Sequence, residues 1–167
     1  MYYNLREVES INILFFLTPK AEVAYLGCND SLRQALTKME QHKYSSIPVL
    51  NEDGEYTGTV TEGDMLWYLL HSEIGKSDEQ LDELPLEAVP RRNNYAPVNA
   101  SSNMEDLLNK IMQQNYVPVV DDCDCFIGIV KRRDVIQYYY DKTWKKLSIQ
   151  WQLLYYSYLS SLLKILY

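Results

Sequence analysis

Gly58-Thr59-Val60-Thr61-Glu62-Gly63-Asp64-Met65-Leu66 is answered seventy residues later by Gly128-Ile129-Val130-Lys131-Arg132-Arg133-Asp134-Val135-Ile136. Each copy runs from a β-branched strand through a polar turn to an acidic residue and an apolar helix start. The register extends upstream, where Ile47-Pro48-Val49 matches Val117-Pro118-Val119 at the same offset. Earlier still the offset becomes seventy-two. It pairs Leu32, Ala35, Leu36 and Met39 with Met104, Leu107, Leu108 and Ile111, and Ala24 with Ala96. The chain is a tandem repeat, and that decides how the rest is read.

Within repeat one, Val23 to Leu26 reads as a short entry strand. Asn29 or Asp30 is expected to cap a helix running to about His42, with Leu32, Ala35, Leu36 and Met39 on one face. Ile47 to Leu50 and Tyr56 to Thr61 read as paired strands around Asn51-Glu52-Asp53-Gly54, whose Asp-Gly suits a turn with positive φ. A helix then opens at Glu62 or Gly63 and runs to about His71. Repeat two follows the same plan: Leu84 to Val89 begins a short helix, and Ser102-Asn103-Met104-Glu105 reads as a capping box. Val117 to Val120 and Phe126 to Val130 are its strands, and Arg132 or Arg133 opens its last helix.

Outside the repeats, Asn4 to Leu17 is expected to be a helix ended by Thr18-Pro19, since residues before proline avoid the helical region. The domain plan is 1–72 for that helix and repeat one, 73–83 for a linker, 84–141 for repeat two and 142–167 for an apolar helical tail. In the tail, Leu147, Trp151, Leu154, Tyr158, Leu162 and Ile165 fall at helical spacing. Lys145, Lys146, Gln150, Gln152, Lys164 and four serines interrupt it, so an amphipathic helix packed on protein is expected, not a membrane span.

The 167 residues carry a net charge of -7, with 47% apolar and 23% charged side chains. That composition describes a folded globular chain and argues against a nucleic-acid binder, whose footprint is a strongly basic face. Cys28, Cys123 and Cys125, with no secretory leader, read as reduced thiols of a cytoplasmic protein. Cys123-Asp124-Cys125 lacks the second ligand pair of a metal site and reads as a hairpin turn. No Gly-x-Ser-x-Gly, P-loop or His-Glu-x-x-His signature appears, so no enzyme activity and no cofactor are expected.

The order of helix, strand with Ile/Val-Pro-Val, turn, strand with Gly-x-x-Thr-x-x-Asp, and helix resembles the cystathionine β-synthase (CBS) domain. Two copies, from about Leu17 to Tyr140, are similar to a CBS pair, or Bateman module. The resemblance implies an α+β fold: tandem domains, each a short sheet flanked by helices, related by a pseudo-twofold axis. It also implies clefts that bind adenosine-containing ligands. The pattern Val23-Ala24-Tyr25 with Lys131-Arg132-Arg133 is similar to small stand-alone CBS proteins of Gram-positive bacteria that bind cyclic di-AMP. Cyclic di-AMP is therefore expected first, before AMP, ADP, ATP or S-adenosylmethionine.

Carried over residue by residue, the resemblance implies two unequal clefts. The first takes Lys20, Glu22, Val23, Ala24, Tyr25, Ser45, Ser46 and Ile47 from repeat one, with Lys131, Arg132, Arg133 and Asp134 from repeat two. Lys131 stands where the family has threonine, and its charge suits a phosphate, as do arginines at a helix start. The second takes Tyr95, Ala96, Pro97, Asn115, Tyr116 and Val117 from repeat two, with Thr61 and Asp64 from repeat one. There only Arg91 and Arg92 offset phosphate charge, so it is expected to be weaker. In both, the aspartate carboxylate could accept the ribose hydroxyls while strand amides read adenine. A homodimer acting on an unidentified regulated protein is the expected assembly.

Plainer readings stand beside these. Asp64 and Asp134 suit ordinary helix caps, and Lys131-Arg132-Arg133 suits a solvated helix start. The competing functions are a structural or dimerising pair with degenerate clefts, and a membrane-associated module anchored by the tail.

Overall fold

Two copies of one strand–turn–strand–helix plan give two small sheets, as the repeat requires. The computed structural model describes residues 11–72 and 78–166. In chain order come β1 (Leu17–Pro19), β2 (Leu26–Gly27), α1 (Leu32–His42), β3 (Ser46–Leu50), β4 (Tyr56–Thr61) and α2 (Glu62–His71). Then follow α3 (Asp78–Glu83), β5 (Val98–Asn99), α4 (Met104–Ile111), β6 (Tyr116–Val120), β7 (Phe126–Lys131) and α5 (Arg132–Leu166). Single 3₁₀ turns occupy Ile13–Phe16, Lys20–Glu22 and Leu86–Ala88. The chain divides into two compact units, one up to Arg132 and one from Arg133 onward, so both sheets lie in the first unit.

The first sheet has the order β2-β3-β4, with β2 parallel and β4 antiparallel to the central strand. The second has the order β1-β7-β6-β5. β5 and β6 repeat the pairing of β2 and β3, and Val98↔Val119 matches Leu26↔Val49. Both hairpins slip register at the same place, between Val49 and Leu50 and between Val119 and Val120. Every residue of β3 and β6 is buried, which explains their unbroken apolar reading.

The two repeats exchange their leading segments. β1 precedes repeat one but pairs with β7 of repeat two, Pro19 opposite Gly128. Proline is tolerated there because β1 is an edge strand. Leu86 and Val89 precede the second repeat but pack into the core of the first, with Leu26, Leu32, Ile47, Val60 and Met65. A second cluster lies between the repeats: Val23, Leu50, Tyr116, Phe126 and Ile129, flanked by Tyr56 and Tyr95.

At the hairpin tips the stitching is reciprocal. The Phe126 amide donates to the Gly54 carbonyl at 3.0 Å, and the Tyr56 amide donates to the Asp124 carbonyl at 3.3 Å. Gly54 and Asp124 are repeat equivalents, and both have positive φ, 84° and 61°. An exchange in which i meets j while j meets i is the signature of a twofold relation.

Several expectations need correction. The helix expected over Asn4 to Leu17 does not reach Leu17: residues 13–16 form a 3₁₀ turn and Leu17–Pro19 a strand, while residues 4–10 lie outside those described. The entry strand begins at Leu26, not Val23, because Lys20–Glu22 turns first. α1 is capped by Ser31, whose hydroxyl accepts from the Gln34 amide while the Gln34 side chain accepts from the Ser31 amide. Asp30 is spent instead on the Gly27 amide. Asn103 caps α4 in place of Ser102. The linker over 73–83 contains α3, residues 73–77 lying outside those described, and the helix expected over Leu84 to Val89 is a single 3₁₀ turn. The last repeat helix and the tail are one continuous helix, α5.

Candidate functional site

The start of α2 carries the first candidate carboxylate. Asp64 is only 3% exposed. Its Oδ2 accepts from the Thr61 amide at 3.0 Å and the Thr61 hydroxyl at 2.7 Å, and the Thr61 hydroxyl in turn accepts from the Asp64 amide. This is a reciprocal capping box. Its Oδ1 accepts from the Arg92 amide at 3.1 Å. The carboxylate is therefore bound from both sides by its own chain.

The equivalent place in repeat two is built differently. Lys131 replaces Thr61 and has no oxygen to accept an amide, and Asp134, its counterpart acid at the start of the second unit, is exposed. Lys131 and Arg133 are exposed as well, and Arg132 is half-buried. Arg132 bonds Asn115 twice, its amide to the Asn115 carbonyl at 3.0 Å and its guanidinium to the Asn115 side-chain oxygen.

The strands that precede the two clefts differ in the same sense. Tyr95 offers its carbonyl to the Tyr56 hydroxyl at 2.8 Å, and the Ala96 carbonyl accepts from the Gln114 side chain at a long 3.4 Å. Ala24, the counterpart of Ala96, makes no backbone hydrogen bond among the described residues. Beside it the Lys20 ammonium lies 5.4 Å from the centre of the Tyr25 ring, and Lys38 donates to the Tyr25 carbonyl at 2.9 Å. The Lys20–Glu22 turn lies against β7, whose last residue is Lys131. Glu22 and Ser45 are exposed, whereas Val23, Ser46 and Ile47 are buried, so Val23 and Ile47 could offer a ligand only backbone.

Between the clefts runs a chain of hydroxyls. Tyr56 donates to the Tyr95 carbonyl, lies 2.8 Å from the Thr59 hydroxyl, and Thr59 lies 2.9 Å from the Tyr116 hydroxyl. Each hydroxyl has one proton to give. Since Tyr56 spends its proton on Tyr95, Thr59 must donate to Tyr56, and Tyr116 to Thr59. The run has one direction and ends on a carbonyl. Burial pushes the Tyr56 phenol up to about 12 and raises Tyr116 well above the ordinary tyrosine range.

Repeat two puts Phe126 and Ile129 where the first has Tyr56 and Thr59. The junction is therefore polar toward Tyr95 and apolar toward Val23.

The second expected cleft is thus brought together only in part. A cleft of about 530 Å³ is lined by Tyr56, Thr57, Gly58, Thr59, Tyr95, Pro97 and the run Arg91 to Asn94. Tyr116 does not line it but is hydrogen-bonded to Thr59, which does. Asp64 lines a different, smaller pocket with Trp67 and His71, Val117 is buried in strand β6, and Asn115 is bound to Arg132. Tyr56 and Thr59 were not expected among the site residues. Their signal was the loss of repeat symmetry at those two positions.

Comparison with known proteins follows the same lines. The family described as "CBS domain" matches residues 15–71 and 86–141. A CbpB protein solved in complex with c-di-AMP is 18% identical, with a TM-score of 0.75 over 86% of this chain and 94% of that one. The CbpB protein of Listeria monocytogenes, also solved with c-di-AMP, is 23% identical, with a TM-score of 0.69 over 80% of this chain and 98% of that one. At these identities the likeness is one of fold. An uncharacterized protein of Methanocaldococcus jannaschii is 28% identical over 144 residues, covering 65% of this chain and 81% of the relative.

Proposed function

Because the chain belongs to the CBS domain family, we propose that it is a regulatory CBS pair that binds an adenine nucleotide at the Ala24 cleft and signals occupancy to a partner protein. One observation carries the choice of cleft. The groups that would read adenosine in the second cleft are bonded within the chain: the Asp64 carboxylate and the Tyr95 and Ala96 carbonyls. Among the described residues the Ala24 N–H and C=O make no such bonds. An adenine edge offers one donor and one acceptor to such a strand, and an unpaired peptide group gains more from that than a paired one.

Charge supports the same side. Lys20, Lys131 and Arg132 suit phosphate oxygens, and the guanidinium of Arg132 keeps donors beyond the one given to Asn115. Arg133 and Asp134 are exposed in the first turn of α5. Two fold neighbours were solved with c-di-AMP, which puts cyclic di-AMP first, ahead of AMP, ADP, ATP and S-adenosylmethionine. A ligand with two adenosines also suits two copies of the Ala24 cleft, one from each chain of a homodimer.

A thermal-shift panel of these five ligands tests the reading. A ligand at a hundred times its dissociation constant adds about 2.7 kcal/mol of stability. Silence of all five at millimolar concentration overturns nucleotide sensing and leaves the structural, dimerising pair.

A further inference from the structure

The backbone that follows Ala24 is gripped twice by its own chain. Lys38 of α1 donates to the Tyr25 carbonyl at 2.9 Å, and the Asp30 carboxylate accepts from the Gly27 amide at 3.0 Å. The two grips are joined, since the Lys38 ammonium lies 3.7 Å from the same Asp30 oxygen, Oδ2. Lys38 and Asp30 thus bracket Tyr25, Leu26 and Gly27, while Leu26 and Gly27 also pair with β3. The bracket ends one residue after Ala24, whose own N–H and C=O stay unbonded among the described residues.

Repeat two has no such bracket. Its counterparts, seventy-two residues on, are Pro97, Asn99, Ser102 and Lys110. Ser102 brings no carboxylate, and among the described residues Lys110 makes no bond to the Pro97 carbonyl. The holding bond there comes from Gln114 and falls on the Ala96 carbonyl itself. Both repeats carry the lysine; only the first has the carboxylate that pairs with it.

We infer that Lys38 is a positioning residue for the nucleotide at the Ala24 cleft, an inference that rests on the nucleotide reading of that cleft. Lys38 acts through the backbone and does not touch the ligand. A strand already held in place binds an adenine edge without the cost of first being ordered. Freeing the backbone of one residue corresponds to a factor of about five to thirty in an equilibrium constant. Lys38 fixes the carbonyl of Tyr25 while Lys20, a proposed phosphate contact, lies 5.4 Å from the centre of its ring. A charge effect at a distance would look different. Removing the Lys38 charge would weaken an anionic ligand, but removing the Asp30 charge would tighten it. The bracket predicts weakening from both.

Cyclic di-AMP is the probe, titrated into the full chain by calorimetry, beside hydrogen exchange of the free protein. Lys38→Met should speed exchange of the Tyr25 to Gly27 segment and weaken cyclic di-AMP about fivefold to thirtyfold. Asp30→Asn keeps an oxygen for the Gly27 amide but loses the ion pair, and should weaken binding in the same direction. Lys38→Arg should restore part of the affinity. The salt dependence of binding should stay that of wild type in Lys38→Met and fall in Arg132→Met, whose charge would meet the phosphate. Unchanged exchange in Lys38→Met overturns the inference with no nucleotide needed. Wild-type affinity in Lys38→Met, or tighter binding by Asp30→Asn, overturns it and leaves the nucleotide reading intact. A reduced salt dependence in Lys38→Met also overturns it, making Lys38 a direct phosphate contact. A wild type that binds none of the five ligands of the panel overturns the nucleotide reading and this inference together.

Discussion

The hydroxyls of Thr59 and Tyr116, 57 residues apart in sequence, meet at 2.9 Å at the junction of the two repeats. Thr59→Val removes the acceptor that Tyr116 uses and the donor that Tyr56 receives. Tyr116 is left without its acceptor while Tyr56 keeps its bond to the Tyr95 carbonyl, and a buried polar group left unpaired costs about 1–3 kcal/mol. Urea denaturation should show a loss in that range, while Thr59→Ser, which keeps the hydroxyl, stays within about 1 kcal/mol of wild type. Equal behaviour of the two variants would refute the directed hydroxyl chain.

Alkaline stability follows from the same tyrosines. An unfolded tyrosine titrates near 10, whereas Tyr56 is held up to about 12 by burial. Between these values the unfolded chain releases a proton that the folded chain keeps. Stability is therefore complete below about pH 10 and falls as pH rises toward 12, by roughly 1.4 kcal/mol per pH unit for each such group. Tyr116, raised in the same direction, extends the loss. Tyr56→Phe should flatten the slope, which chemical denaturation across pH 9 to 12 would measure.

The two equivalent glycines should not respond equally to alanine. A Cβ on Gly128 would lie 2.2 Å from the Thr18 carbonyl oxygen, fixed backbone of β1. On Gly58 it would meet the far end of the Arg91 side chain, which can move. Both substitutions strain φ. Gly128→Ala should cost about 1–3 kcal/mol more than Gly58→Ala, the usual range for overpacking. Thermal melts of the pair decide it.

Arg132→Met should weaken nucleotide binding about tenfold to a hundredfold. Asp64→Ala should instead lower stability by about 1–2 kcal/mol, as loss of a helix cap does, and leave affinity nearly unchanged. Calorimetry with paired melting curves separates the two. Reversal of the pattern would assign the nucleotide to the other cleft.

α5 exposes Tyr140, Trp144, Leu147, Trp151, Leu153, Leu154 and Tyr155. Among the described residues no helix is long and apolar enough to cross a membrane. Removing residues 144–167 should therefore change the sedimentation coefficient or the solubility, as expected if a second copy covers this surface. An unchanged profile would make the tail dispensable.

The sequence disclosed what periodicity can carry. The offset of seventy located both hairpins and both following helices, because β-branched runs and turn residues act locally. It could not disclose β1, three residues whose only partner lies more than a hundred positions away. Nor could it show the Arg92 amide on Asp64, since backbone donors leave no mark in composition. Ser31 as the cap of α1 was legible, three residues before Gln34 in the capping-box spacing, but Asn29 and Asp30 offered nearer candidates. The substitution of Phe126 and Ile129 for Tyr56 and Thr59 was also in plain view. Its meaning depended on Tyr116, which comes from the other repeat.

The exchange of leading segments ties the fate of each half to the other. A fragment ending between the repeats would keep β1 without the strand it pairs with, and would lack Leu86 and Val89, which close its core. The complementary fragment would carry those two side chains with nothing to cover, and a sheet edge open to chance pairing. Neither half is an independent folding unit, so the first unit should melt in one transition. A nascent chain halted after α2 is a client for chaperones, and a protease nick between the repeats need not separate pieces that still complete each other.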